Sequence, residues 1–447
     1  MSGAQQERKS EETTQGTGGS RKRVLLVAYA CSPYRGSEPG VGWNWVREIG
    51  KYCDVRVIVK QQQYEEEIRR YLAETKELPH VRFHFVPRTG FEKMIKQVPG
   101  MFHLAYHLWH RRAFRLAAHL EETEGFDLVH LVNIGSFREP GCLFRLDAPF
   151  IWGPVGGTQN YPWRFLPSAG VSGAIREGVR SLVNIWQLRF SLRIREAVSK
   201  AALLLAANSV GMGDFGRIHH KSPVPMLDAG VQSVSPRRSV CDRSGDPLRI
   251  LWSGVLDHHK ALHLLLISLS TLPKSTRYKL RILGDGPLKK RWMRMARRLG
   301  VDHNCTWTGW ITHEAAAAQY DWADLLVFTS LRDTSGNVVL EALSNGIPVI
   351  CIDHHGAGDM VTEECGIKIP PTSPSRVTAG IRDAISLLAR DRSKLEKLSR
   401  GANERAKEYL WWRKGEEMAE IYNRVIPFEN SPHAKGEEKV AGVSESC

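Results

Sequence analysis

The chain has 447 residues, 42% hydrophobic and 25% charged, with a formal net charge of +14; it has room for two domains plus tails, and its globular composition excludes a largely disordered class. No stretch reaches the roughly 18 to 20 uninterrupted apolar residues of a membrane span, and the first residues lack the apolar core of a signal peptide, so a cytoplasmic protein is expected. The eight cysteines are scattered without C-x-x-C spacing, which argues against zinc or disulfide frameworks and predicts reduced, mostly buried thiols.

Residues 1–20 are polar and rich in Gly, Ser and Glu, as are residues 428–447, so both ends are expected to be disordered tails. Between them, Val24-Leu-Leu-Val-Ala28 reads as a buried parallel strand, followed by a long loop to Gly42 and a helix over 43–51. Strands at 55–59, 81–86, 127–132 and 149–152 alternate with helices at 64–75 and 100–121. A basic helical pattern covers 175–200, and strand character returns at 202–207. A second series starts at Leu248: strands at 249–252, 279–283, 305–307, 324–328 and 348–352 alternate with helices at 260–270, 287–299, 313–320, 337–345, 375–390 and 393–408. Two such series predict an α/β protein with two facing Rossmann-like domains and a cleft between the carboxyl ends of their strands.

The sharpest motif lies in the second series. The strand ending at Ser330 runs into Leu-Arg-Asp333-Thr-Ser-Gly336-Asn, a helix starts near Asn337 with Glu341 inside it, and Gly346 and Pro348 lead to the next strand. Such a loop offers backbone amides and a positive helix end to an anion, while Asp333 and Glu341 can accept hydrogen bonds from sugar hydroxyls. A plain strand-turn-helix with two surface acids is the bland alternative.

With these residues the chain resembles the retaining glycosyltransferases of family 4, in the branch with Gly-Pro-Val-Gly-Gly and Asp-Thr-Ser-Gly-Asn motifs; the resemblance extends over roughly residues 23–426. It implies the GT-B fold, with a 21–230 acceptor domain, a 248–408 nucleotide-sugar domain and a 409–427 helix crossing back to the first domain. Carried over by position, Asp333 contacts the transferred sugar, Thr334, Ser335, Gly336, Asn337 and Val338 contact sugar and diphosphate, and Glu341 binds the ribose. Lys260, in Ser253-Gly254-Val255-Leu-Asp-His-His-Lys260, would clamp the diphosphate. The accompanying arginine position holds Val255, leaving Arg332, His258 or His259 to compensate. Gly284 of Gly-Asp-Gly-Pro is either turn chemistry or a donor contact, and Trp310 and Ile311 border the nucleobase. In the first domain the Gly40 and Gly42 loop and the Gly156-Gly157 turn would bring backbone to the cleft. His130 is either an active-site histidine or a satisfied core one.

The resemblance implies a metal-independent enzyme without cofactor, transferring a sugar with retention from a nucleoside diphosphate to a saccharide or lipid-linked acceptor in polysaccharide or glycoconjugate synthesis. The absence of D-x-D and H-E-x-x-H motifs is in line with this. A non-catalytic sugar-nucleotide or polysaccharide-binding relative is the alternative, motivated by Val255 and Asp333. The positive charge is concentrated in residues 151–300. It reads either as solvated helix faces or, in the segment 176–200 where Arg alternates with Leu, Ile, Trp and Phe, as an anionic membrane contact at the inner face. Nucleic acid is not expected, since no binding module is recognisable.

Overall fold

The computed structural model describes residues 21–98, 100–235 and 245–427; the expected tails, Cys241 and Cys447 lie outside them. The first sheet has seven parallel strands: β1 (Arg23–Ala28), β2 (Asp54–Lys60), β3 (Val81–Val86), β4 (Leu128–Asn133), β5 (Phe150–Val155), β6 (Ala201–Ala206) and β7 (Val224–Pro225), in the order 3-2-1-4-5-6-7. The second has six: β8 (Leu248–Ser253), β9 (Tyr278–Leu283), β10 (Cys305–Gly309), β11 (Leu325–Phe328), β12 (Val349–Ile352) and β13 (Gly366–Ile369), in the order 10-9-8-11-12-13. Both are doubly wound, and the strand order reverses beside β1 and beside β8. Ligands of such sheets bind outside the carboxyl ends of the strands at that reversal. The central strands are apolar throughout because helices cover both faces; Val24 to Ala28 have no exposed surface.

The helices follow the predicted alternation in outline, with Gly90–Lys96, Ser209–His219 and His355–Met360 in addition to those expected. The first begins at Ser37 rather than at 43, so Pro39, Gly40 and Gly42 belong to the helix Ser37–Ile49 and Gly40 and Gly42 are not loop residues. Proline is tolerated in the first helical turn, where no intrahelical acceptor awaits its missing N–H. Gly42 has a packing reason: a Cβ there would sit 2.1 Å from the Ala30 carbonyl oxygen. The segment predicted at 175–200 forms two helices, Gly170–Phe190 and Leu192–Lys200, which meet at Ser191.

The domain assignment also sharpens. Tyr161, Phe165 and Ala169, expected with the first domain, are buried in the core around the second sheet. The last helix, Trp411–Val425, packs on Ser37–Ile49, with the Trp45 and Trp411 rings edge to face at 5.3 Å. The chain passes from the first sheet to the second after β7 and returns with the last helix, and these two crossings pair: Val231 N donates to the Tyr409 carbonyl at 2.9 Å and Trp411 N to the Val231 carbonyl at 3.0 Å. Among the described residues the six cysteines are unpaired in disulfides, five of them buried. No helix of the described residues is long and apolar enough to cross a membrane.

Candidate functional site

The cleft wall from the second sheet is one continuous strand-loop-helix. After β11 the chain turns through Gly336, whose φ of +74° suits glycine, and enters the helix Asn337–Ser344. Asp333 pairs with Lys260, which a short helical turn at His258–Lys260 brings from the loop after β8. Burial alone would push the Asp333 carboxyl up, but the charge and hydrogen bond of Lys260 outweigh it and hold the pKa below the ordinary value. The two groups assigned separately to sugar and diphosphate thus satisfy each other, and a bound donor has to share them. Farther along, Glu341 accepts a hydrogen bond from the Tyr320 hydroxyl.

Two adjoining cavities follow this wall. A cavity of about 310 Å³ is lined by Ser37, Glu38, Val41, Asp228, Lys260 and residues 333–338. The next, about 660 Å³, is bounded by Asn44, residues 229–233, Tyr320, Leu340 and Glu341. They share Ser37, Val41 and Asn337, so an elongated ligand can run from Asp333 to Glu341.

The opposite wall is assembled from scattered residues of the first domain. Gln159 Nε2 donates to the Asp333 carbonyl at 2.7 Å and to the Thr334 hydroxyl at 2.8 Å; Asn208 Nδ2 donates to the Thr334 carbonyl at 3.0 Å. The Ser335 hydroxyl donates to Asp228. Gly156 lies against Thr334 so closely that a Cβ would come within 2.2 Å of its methyl group. Burial and the nearby Asp228 push the Glu38 carboxyl up to about 7, which makes it a proton donor or acceptor at neutral pH. Asp228 is raised by burial as well, against the pull of Ser335 and Lys414.

Most donor-loop residues predicted from the sequence meet here: Lys260, Asp333, Thr334, Ser335, Gly336, Asn337, Val338 and Glu341 all line the two cavities, as does Gly40. Gly254 and Gly284 hold the strand ends together instead, since a Cβ on Gly284 would lie 2.0 Å from the Gly254 carbonyl oxygen and Gly284 N donates to the Gly309 carbonyl at 2.9 Å. Gly42 is buried in its helix, and Gly157, with φ of +82°, shapes the turn after β5. Trp310 is 69% exposed and, with Ile311, lines neither cavity.

His130 is not brought to the cleft. It is fully buried, with Nδ1 hydrogen-bonded to the Tyr422 hydroxyl at 2.6 Å and Nε2 to the Gly153 carbonyl at 2.7 Å. Burial lowers its pKa to about 4, so it is a satisfied core histidine on the seam with the last helix and no longer a catalytic candidate. Val255, Arg332, His258 and His259 also line neither cavity; the Arg332 guanidinium goes to Glu177 at 3.0 Å. Glu38, Asp228 and Gln159 were missed by sequence reasoning. The only available signal was their place just after strands or at the first helix start, which many residues share.

Residues 238–405 match the family model described as glycosyl transferases group 1. An uncharacterized glycosyltransferase of Methanocaldococcus jannaschii, MJ1607, is 26% identical over 156 residues, covering 35% of this chain and 40% of its own length; the match thus spans well under two thirds of that relative. Among solved structures, a sucrose-phosphate synthase of Thermosynechococcus elongatus aligns with a TM-score of 0.64 at 16% identity, over 91% of this chain and 99% of that one. Anabaena HepE in complex with UDP and glucose aligns with a TM-score of 0.58 at 15% identity, over 90% and 100%. The fold is GT-B, and its second domain carries the group 1 glycosyltransferase match.

Proposed function

From a group 1 glycosyltransferase domain set in a GT-B fold, we propose that the chain is a hexosyltransferase of the family 4 type. It takes a sugar from a nucleoside diphosphate and transfers it, with retention and without a metal, to a saccharide or lipid-linked acceptor in glycoconjugate or polysaccharide synthesis. The observation that carries the reading is the continuous path from Lys260 and Asp333 past the amides of residues 334–338 to Glu341. Glu341 suits ribose hydroxyls in the larger cavity. The Asn337 helix end and Lys260 suit the diphosphate, whose departing charge they stabilise electrostatically. Asp333, at the other end of the path, suits hydroxyls of the transferred sugar. The UDP seen in Anabaena HepE supports a nucleotide-sugar donor of this kind.

The acceptor would approach from the first domain. The helix Gly170–Phe190 exposes Val171, Ile175, Val179, Leu182, Trp186 and Phe190, spaced by three or four residues along one outward stripe. Its exposed charges are Arg176 and Arg189, and its one acid, Glu177, is buried. That pattern supports peripheral contact with an anionic bilayer, in a cytoplasmic protein acting on a membrane-linked acceptor. Leu188, in the same segment, faces the core instead.

A panel of nucleoside-diphosphate sugars, followed by release of nucleoside diphosphate, tests the reading. Release from one donor class, dependent on Glu341 and unaffected by chelators, is expected. Binding of a donor without turnover under any acceptor would favour the non-catalytic relative, for which the Lys260–Asp333 pairing and Val255 speak.

A further inference from the structure

The inner face of the helix Gly170–Phe190 holds a group of cations that the donor path does not use. Gly173, Glu177, Ser181, Asn184 and Leu188 are its buried positions, and Arg180 sits between Glu177 and Asn184, one turn from each. Arg332 reaches Glu177 from the loop after β11, with Nε to Oε2 at 3.0 Å, and Arg138 reaches Asn184 from the loop after β4, with Nη2 to Oδ1 at 2.9 Å. Three guanidiniums therefore converge where the ligand-facing edges of the two sheets meet, and Glu177 is the one carboxylate among them. The neighbouring acids are committed elsewhere. Asp257 is held by both terminal nitrogens of Arg176 at 3.1 and 2.9 Å, and Glu139 is paired with Arg193 and His107.

The cluster is incomplete as it stands. Arg138 Nε and Arg180 Nη1 are buried and, among the described residues, reach no hydrogen-bond partner. His103 Nδ1 is in the same condition, and the charges of Arg138 and Arg180 bear on that ring. Burial, then Arg332 and Arg138, pull the Arg180 guanidinium down, yet arginine keeps its proton at neutral pH. A buried donor left unpaired beside like charges is costly, and an anion bound among the three guanidiniums would remove that cost.

We propose that Arg138, Arg180 and Arg332 form a subsite for a phosphate ester carried by the acceptor, separate from the donor cavities. The planar forks match tetrahedral oxyanions in geometry and number of donors. None of the three lines either donor cavity, while Arg332 immediately precedes Asp333, so the cluster lies next to the sugar end of the donor path. The assignment of the anion to the acceptor rests on reading that path as a donor site.

The test uses the full chain saturated with UDP, so that a nucleoside diphosphate fills the donor path, and titrates glycerol 3-phosphate by calorimetry. Saturable binding is expected in the wild type, weakened at least about tenfold in Arg180→Gln and in Arg138→Gln and unchanged in the surface variant Lys290→Gln. Because removal of an unpaired buried cation relieves repulsion, Arg180→Gln is also expected to unfold no earlier than wild type without ligand, while losing the rise in Tm that the phosphate ester produces. A parallel arm uses phosphatidylcholine vesicles with and without phosphatidic acid. Binding that Arg180→Gln abolishes in the vesicle arm alone assigns a lipid phosphate, and in the soluble arm a sugar or glycerol phosphate. Equal affinity in wild type and both arginine variants overturns the subsite, as does no binding in either arm. Displacement of the phosphate ester by UDP overturns it too, since the cluster would then serve the donor diphosphate. Failure of UDP itself to bind counts against the donor reading, and the arginine variants without UDP still decide the subsite.

Discussion

The two walls of the cleft are built differently. On the second domain, residues 324–348 supply strand, loop, helix and both acids in one uninterrupted run, joined by Lys260 from the loop after β8 and Tyr320 from the preceding helix. On the first domain, Glu38 comes from the first helix start, Gly156 and Gln159 from the loop after β5, Asn208 from the loop after β6 and Asp228 from the loop after β7, and Gln159, Asn208 and Asp228 hydrogen-bond the opposite wall. A ligand-binding wall made of one segment is written in local sequence. A wall made of scattered segments exists only after folding, and its contribution is closeness of backbone and tuned acidity.

The largest effect that would sharpen this contrast is a methyl group added to the packing behind the first wall. Gly42→Ala places a Cβ against the Ala30 carbonyl, a backbone atom that cannot rotate away, and is expected to cost about 2 to 3 kcal/mol in denaturant unfolding. A cost near zero would mean that the two elements slide apart easily. On the second wall, Lys260→Ala and Glu341→Ala are each expected to lower donor turnover at least about tenfold, or roughly 1.4 kcal/mol, with the fold retained. Normal nucleoside diphosphate release by both variants would break the donor assignment.

Acidity separates the walls next. Glu38, raised to about 7, is protonated below that pH and charged above it, so activity is expected to show an inflection near pH 7 that Glu38→Gln lacks. The stability sign follows: an acid with a raised folded pKa loses its contribution as pH climbs from the unfolded value of 4.5 through 7, so Glu38→Gln should gain on the wild type at pH 8. An unchanged pH profile removes Glu38 from the chemistry. The smallest effect is at the seam, where Gln159→Ala loses two hydrogen bonds to residues 333 and 334 and is expected to weaken donor affinity by about 1 kcal/mol. A change confined to kcat would place Gln159 in the reaction step instead.

The same contrast explains what was legible. Both alternating series, the strand into Ser330 and the loop glycine at Gly336 are local patterns, and the sheets and donor loop follow them. The edge strands β7 and β13 are short, two and four residues, and their pairing rather than their composition defines them. Reading Ser37 to Gly42 as a loop failed because glycine and proline signal breaks in isolation, whereas here proline occupies a first turn and Gly42 is small for the sake of Ala30. His130 could not be settled from a strand pattern, because its partners Tyr422 and Gly153 lie 292 and 23 residues away. The acidity of Glu38 and the crowding of Arg138, Arg180 and Arg332 likewise depend on desolvation and on neighbours that spacing does not encode.

The paired crossings at Val231 and residues 409–411 constrain how such a cleft can open. Two bodies joined by one strand of chain can swivel freely, but two adjacent crossings tied by hydrogen bonds act like the spine of a book and favour bending about one line. Residues 229–233 run along that spine and also bound the larger cavity. The two domains are therefore tied most closely at the end of the cleft beside Glu341, and any opening is expected to be widest at the far margin.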